Sequence, residues 1–325
     1  MSLAPPSHPS PALPIEVIEH AIGYLRGDCR TLLNVALVHR VLYPHAIQVL
    51  YASIRIWSNR SYRALVRLRL DSAAHRNVFA HVEEFTLSIA AARGGGVSDQ
   101  CSLNTFSLHL AGVLLPCLRH LEFWSFEREG WLNVPPTVIM CLSKTFATVQ
   151  VLALHRVHFV TLRDCVRLIC ALPQLRELDL RDILFRSSGG PDSIVITPAT
   201  GAELGLCTLT MSVFDDMENG ALEPIYGWLV RTQCVQKGLL RRLMVSDPYS
   251  EYPKLDGTWD VRHSGSIRLN AFLESLGPAL QHLDVNIPVP GTSYLSATAA
   301  QLCSYPLTIN LLLCQNHYSF IAMMV

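Results

Sequence analysis

One short pattern recurs along the chain: an apolar residue, two others, a second apolar residue, one other, and a third apolar residue. Eight copies read as Tyr51/Ile54/Ile56, Val82/Phe85/Leu87, Leu118/Leu121/Phe123, Val149/Leu152/Leu154, Leu175/Leu178/Leu180, Leu206/Leu209/Met211, Leu240/Leu243/Val245 and Leu280/Leu283/Val285. Successive copies begin 31, 36, 31, 26, 31, 34 and 40 residues apart. In an extended strand the last two apolar residues of each copy share a face, and the residues flanking the middle one point the other way. A lone strand of this kind has no way to bury its apolar side. The pattern therefore predicts units stacked in parallel, with intervening helices covering the apolar face of the sheet.

The segments between copies fit that order. From Asp164 to Leu172 the apolar residues Cys165, Val166, Leu168, Ile169 and Leu172 fall at three- and four-residue steps, and Pro173 ends the helix before LRELDL. Leu115 and Pro116 precede LRHLEF, and Leu276, Gly277 and Pro278 precede LQHLDV. Helix, proline or glycine break, and strand follow one another in a fixed sequence.

The outward positions of these strands form a ladder: Ser53/Arg55, Glu84/Thr86, His120/Glu122, Val151/Ala153, Glu177/Asp179, Thr208/Thr210, Arg242/Met244 and His282/Asp284. Its chemistry is mixed. The acidic pair Glu177 and Asp179, the small step at Val151 and Ala153, and cationic Arg242 suit a folded protein or peptide better than one repeated chemical group. The candidate contacts on this face are Glu84, His120, Glu122, Glu177, Asp179, Arg242, His282 and Asp284; the alternative is a solvated strand face.

Ahead of the ladder the period changes. LPIEVIEHAIGYL begins with Pro14 at a helix start and Glu16 in its first turn, and Ile15, Ile18, Ile22 and Leu25 make an apolar stripe ended by Gly27 and Asp28. Thr31 is placed to cap a second helix carrying Leu32, Val35, Ala36, Val38 and Leu42, and Pro44 opens a third. Three helices this short have little interior and lean on a neighbour.

Composition narrows the function. Half of the 325 residues are apolar, which allows a large core, and the length suits two units of structure. Lys plus Arg equals Asp plus Glu at 26 each, leaving no broad basic field for nucleic acid. The first dozen residues, MSLAPPSHPSPA, read as a disordered tail and not a secretion signal. Ten cysteines lie scattered without paired short spacings, as buried thiols in an intracellular protein, cytoplasmic or nuclear, would. Residues 306–325 carry no charge, yet Asn310, Gln315, Asn316 and His317 interrupt them, which favours a last buried helix or strand over a membrane span.

Catalytic patterns are missing. The chain has no glycine-rich loop followed by Lys and Ser or Thr, no Gly-x-Ser-x-Gly and no His-Glu-x-x-His, so it is read as a non-enzyme with no cofactor. Gly94 to Gly96 read as a loop, and Asp215 with Asp216 as a turn. His155, His158, Cys165 and Cys170 do not have the spacing of a usual zinc site.

Two resemblances follow from these residues. The stretch from Tyr51 to Val285 resembles a degenerate, long leucine-rich repeat, although the asparagine or cysteine usual three residues after the last leucine is irregular. Residues 13–56 are similar to the F-box through the order Leu13, Pro14, Glu16, Ile18, Ile22, Leu25, Leu33, Ala36, Leu37, Val38 and Arg40. His39 stands where a cysteine is frequent, and Leu42 where a tryptophan is frequent.

The resemblances imply an α/β fold: residues 1–12 as a tail, 13–56 as an F-box three-helix bundle, and 57–325 as a leucine-rich-repeat-like solenoid with a parallel sheet, irregular or cut short at its C-terminal end. F-box proteins dock on a Skp-type adaptor, which ties them to a cullin scaffold and a RING protein, and the following domain selects a protein substrate for ubiquitin transfer. On that resemblance Leu13, Pro14, Ile15, Ile18, Leu33, Leu37 and Val38 are the adaptor contact, with the bundle core as the alternative for several of them. A competing reading is a repeat scaffold with no ubiquitin ligase role, in which the helices only cover the first apolar face of the array.

Overall fold

The structure, a computed structural model, describes residues 13–70, 79–88, 115–125, 132–134, 139, 146–185, 204–212, 223–246, 272–286, 308–315 and 318–324. Residues 1–12, the glycine run 94–96 and the pair Asp215–Asp216 lie outside them.

The protein is α/β, built on one sheet. Three helices, α1 (Ile15–Gly23), α2 (Cys29–Val38) and α3 (Tyr43–Tyr51), lead into β1 (Ser53–Ile56), and α4 (Asn59–Leu70) follows. After these come β2 (Glu84–Ser88), β3 (His120–Trp124), β4 (Leu132–Asn133), β5 (Val151–Phe159), α5 (Leu162–Cys170), β6 (Glu177–Phe185) and β7 (Thr208–Ser212). Two short helices, α6 (Glu223–Leu229) and α7 (Gln233–Gln236), precede β8 (Arg242–Ser246); a helical stretch over 272–276 and a 3₁₀ turn (Gly277–Ala279) precede β9 (His282–Asn286). The strands β10 (Thr308–Gln315) and β11 (Tyr318–Met324) end the described chain.

All eight copies of the apolar pattern are strands of this sheet, β1, β2, β3 and β5 to β9, and they lie side by side in parallel in the order of the sequence. Strand β10 continues the sheet in parallel beyond β9, β11 turns back antiparallel on β10, and β4 adds a short parallel pairing to the far end of β5.

The register is as regular as the pattern. Phe85, Leu121, Leu152, Leu178, Leu209, Leu243 and Leu283 stand in one row across the sheet, each 3 % exposed or less. The first apolar residue of each copy from Val82 to Leu280 is buried before its strand begins. A backbone signature links neighbours: the residue after that first position offers its carbonyl to two successive N–H groups of the next unit. Ala52 O accepts from Glu83 and Glu84, Glu83 O from Arg119 and His120, Arg119 O from Gln150 and Val151, and Gln150 O from Arg176 and Glu177. Arg176 O, Cys207 O and Arg241 O continue the series. Each of these carbonyls thus satisfies the backbone N–H groups that enter the next strand.

Helix α5 lies where the alternation of turn and strand predicts it, starting two residues earlier than the apolar steps suggest. Thr161 caps it by accepting from the Asp164 N–H, and Leu162, Cys165, Val166, Leu168 and Ile169 are buried in the common core. At the N-terminus Asp28, not Thr31, caps α2; its carboxylate accepts the Thr31 N–H at 3.0 Å and the Thr31 hydroxyl at 2.7 Å. Thr31 sits one turn too far in to be the cap, and its bonds hold Asp28 below the ordinary aspartate range. Of the uncharged segment 306–325, for which the sequence allows a helix or a strand, residues 308–315 and 318–324 are strand.

Strand β2 departs from a simple open face. Thr86 and Ser88 on its outward side are buried, small side chains between longer neighbours, and the Thr86 hydroxyl donates to Oε2 of Glu122 at 2.9 Å.

Candidate interaction surfaces

Two surfaces stand out, one on the helices and one on the sheet. The three N-terminal helices enclose a small core of their own, Ile22, Leu32, Ala36 and Ala46, separate from the large core under the sheet. Leu42, the position where a tryptophan was noted as frequent, is partly buried against it, and His39 is exposed with its Nδ1 accepting the Val41 N–H.

Filling that core leaves many apolar side chains outside it. Leu37 is 84 % exposed, Val38 76 % and Leu13 66 %, with Ile15, Val17, Leu33, Val41 and Tyr43 also in water. Of the residues named for an adaptor contact, Leu13, Pro14, Ile15, Leu33, Leu37 and Val38 are exposed, whereas Ile18 is half-buried and packs on the bundle core. Helical spacing separates them: Ile18 and Ile22 are four apart on the inward stripe, and Leu33 and Leu37 are four apart on the outward one. Val17, Val41 and Tyr43 were not singled out from sequence, since each fits either a core or a surface stripe.

The bundle also touches the sheet. Arg26 reaches Oε2 of Glu83 at 3.0 Å and Oε1 of Glu84 at 3.2 Å, at the start of β2, and α3 runs into β1 after one residue. Glu84, named for the outward ladder, therefore faces the bundle's Arg26.

On the sheet, Ser53, Glu84, His120, Val151, Glu177, Thr208, Arg242 and His282 stand in one register row, and Arg55, Thr86, Glu122, Ala153, Asp179, Thr210, Met244 and Asp284 in the next. The named candidates thus share a surface. Glu177, Arg242 and His282 are exposed; Glu84, His120, Glu122, Asp179 and Asp284 are half-buried.

A third outward row was missed. It holds Ser88, Trp124, His155 and Arg181. His155 joins the second row to the third, with Nδ1 3.6 Å from Oε1 of Glu122 and Nε2 3.3 Å from Oδ2 of Asp179. Arg181 grips Asp179 with both arms, Nε at 3.0 Å and Nη2 at 2.8 Å. Burial works to raise the Asp179 pKa, but the His155 ring and the Arg181 guanidinium outweigh it and hold the carboxyl below its ordinary range. The rings of Trp57, Trp124 and His155 run on edge to face, 6.3 and 6.4 Å between centroids.

No protein-family model matches this chain, and no curated protein matches it.

Among the described residues no group of three or more His, Cys, Asp and Glu is placed to hold a metal ion. His155 projects from the sheet face while Cys165 is buried in α5, where loss of hydration raises its thiol pKa strongly. Among them also, no helix is long and apolar enough to cross a membrane.

Proposed function

We propose that the protein is a substrate-receptor subunit of a Skp, cullin and F-box ubiquitin ligase: the N-terminal helices are an F-box that docks on a Skp-type adaptor, and the sheet is a leucine-rich-repeat-like solenoid whose outward strand face holds a protein substrate. The ubiquitin chemistry belongs to other subunits, and this chain is not an enzyme. One observation carries the reading. Helices whose own core is already filled keep Leu33, Leu37 and Val38 of α2, and Leu13 and Ile15 at the start of α1, in water, apolar side chains that a partner's surface would cover.

The test is co-purification with a Skp-type adaptor and cullin from cell extract, comparing the unchanged chain with Leu37→Asp and Val38→Asp. The substitutions abolish capture in this reading while the sheet stays folded. An unchanged chain that binds no such adaptor refutes it.

A second reading has an observation of its own. The contacts of Arg26 with Glu83 and Glu84 lay the bundle against the first units of the sheet, as a cap in a repeat scaffold without ligase role requires. Under that reading capture by the adaptor is absent, and breaking the Arg26 contacts loosens β1 and β2.

A further inference from the structure

The residues that stand just before the strands form a row of their own, at one end of the parallel sheet. From β3 to β9 it reads Arg119, Gln150, Arg176, Cys207, Arg241 and Gln281, and the N–H of each donates to the carbonyl of the one before it at 2.7–2.9 Å. Arginines occupy alternate places. Arg119, Arg176 and Arg241 are exposed, and since neighbouring strands lie about 4.8 Å apart, successive arginines are spaced by about 9.6 Å.

The row carries no carboxylate over this span, and the three residues ahead of each of its members are uncharged. The first outward row beside it adds one carboxylate, Glu177, and one guanidinium, Arg242, apart from the imidazoles of His120 and His282. Among the described residues none of the three arginines forms an ion pair. An excess of positive charge therefore runs along one edge of a chain whose Lys plus Arg and Asp plus Glu balance at 26 each.

We propose that this edge docks an acidic segment of a protein partner, held in a polyproline-type conformation with a carboxylate at every third residue. Such a helix repeats every three residues and rises about 9.3 Å per turn, so those carboxylates share one side and meet Arg119, Arg176 and Arg241 in turn. A flat β-strand of the same sequence would put alternate carboxylates on opposite sides. The guanidinium suits the task, since its planar fork takes a carboxylate by two hydrogen bonds. Nucleic acid fits less well, because the arginines run in single file with no basic field around them. The site is independent of the adaptor and uses none of the contacts named on the strand face.

The test is fluorescence anisotropy of the full chain at low salt with three blocked, labelled nonapeptides: Glu-Pro-Pro repeated three times, its Gln-Pro-Pro counterpart, and an isomer of the first with its glutamates consecutive. The spaced acidic peptide is expected to bind about tenfold more tightly than the Gln-Pro-Pro peptide, the scale of three exposed ion pairs, and about threefold more tightly than the isomer. Arg176→Gln weakens it about threefold, and Arg119→Gln, Arg176→Gln and Arg241→Gln together abolish the preference. Arg60→Gln, Arg63→Gln and Arg67→Gln together, at exposed positions of α4 outside this row, remove the same charge and leave binding unchanged. Circular dichroism melts confirm folding; should the rim triple variant unfold, Arg176→Gln alone decides. Equal binding of the spaced peptide and the isomer, an equal loss from the α4 substitutions, or tighter binding of an oligothymidylate of nine nucleotides overturns the proposal.

Discussion

Arg156 on β5 and Asp182 on β6 both take the left-handed backbone conformation, each with φ 56°, and their side chains meet with Nε 3.3 Å from Oδ2. The strands stay in register on both sides of this step, His155 opposite Arg181 and Val157 opposite Ile183, so the kink is shared by two neighbours. Ser212 on β7 completes it by donating its hydroxyl to Asp182 Oδ1 and accepting the Asp182 N–H at 3.1 Å.

A side chain at such a backbone needs tolerance of positive φ and a partner for its buried polar atoms. Asp182→Asn keeps both in large part and is expected to change stability by less than about 1 kcal/mol, whereas Asp182→Val loses both and is expected to cost about 2–3 kcal/mol. Burial raises the Asp182 pKa despite the opposing Arg156 and Ser212. The folded state therefore ionises it later than the unfolded chain does, and the carboxylate costs stability as pH rises past about 4. Denaturant melts from pH 3 to 7 check this: the Asn variant gains on the unchanged chain across that rise.

The exposed apolar patch of the bundle predicts a separation of surface from core. Leu37→Asp and Val38→Asp are expected to shift folding stability by no more than about 0.5 kcal/mol, as substitutions in water do. Leu32→Ala, inside the bundle, is expected to cost about 2–5 kcal/mol. Calorimetry on the three variants measures the contrast. Comparable losses from all three would mean that Leu37 and Val38 are covered in solution.

Much of this architecture was readable in the chain because the period of two is rigid. Once Leu178 and Leu180 face inward, Glu177 and Asp179 have only the other side, and parallel stacking puts them beside Val151 and Ala153. The rows beyond the six-residue pattern were harder to see. Continuing the alternation by two residues reaches Trp124, His155 and Arg181, but nothing in the local sequence shows that β5 and β6 run nine residues through a kink at Arg156 and Asp182. The bundle was ambiguous for a different reason. Ile18 and Leu37 are both apolar helix positions, and only three-dimensional packing separates the one that fills the core from the one that faces water.

Asp179 gives a pH dependence of the opposite sign to Asp182. Burial alone would raise its pKa, but His155 and Arg181 bring it below the ordinary value, so the fold favours the charged form. Its contribution is complete above about pH 4, the unfolded value, and is lost as pH falls through the lower folded one. Asp179→Asn is expected to be less stable than the unchanged chain at pH 6 and to converge with it near pH 2. Parallel curves across that range would show that the carboxylate is not preferentially charged in the fold.

The cysteines divide by environment. Cys29 and Cys117 are exposed, while burial pushes the Cys170 thiol up to about 11 and raises Cys165 and Cys234 as well. Since the thiolate is the reactive form, iodoacetamide at pH 8 is expected to modify Cys29 and Cys117 well before Cys165, Cys170 and Cys234. Peptide mass spectrometry over a time course checks the order. Early loss of Cys165 would contradict its place under the sheet.

Among the described glycines, Gly238, after α7, is the one where an added side chain meets its neighbour most closely. Its φ is +63°, and a Cβ built there would stand 2.7 Å from the Cβ of Ala279, in the 3₁₀ turn that leads to β9. Gly238→Ala carries two penalties, about 1–2 kcal/mol for placing a side chain at positive φ and about 1–3 kcal/mol for the overlap. The two are separable. Ala279→Gly in the same chain removes the overlapping atom but leaves the backbone conformation, so the double variant is expected to recover the second penalty and keep the first. Equilibrium unfolding of the single and double variants measures the difference. If Ala279→Gly restores nothing, the turn before β9 has room to move away, and the seam between these two units is looser than a 2.7 Å approach requires.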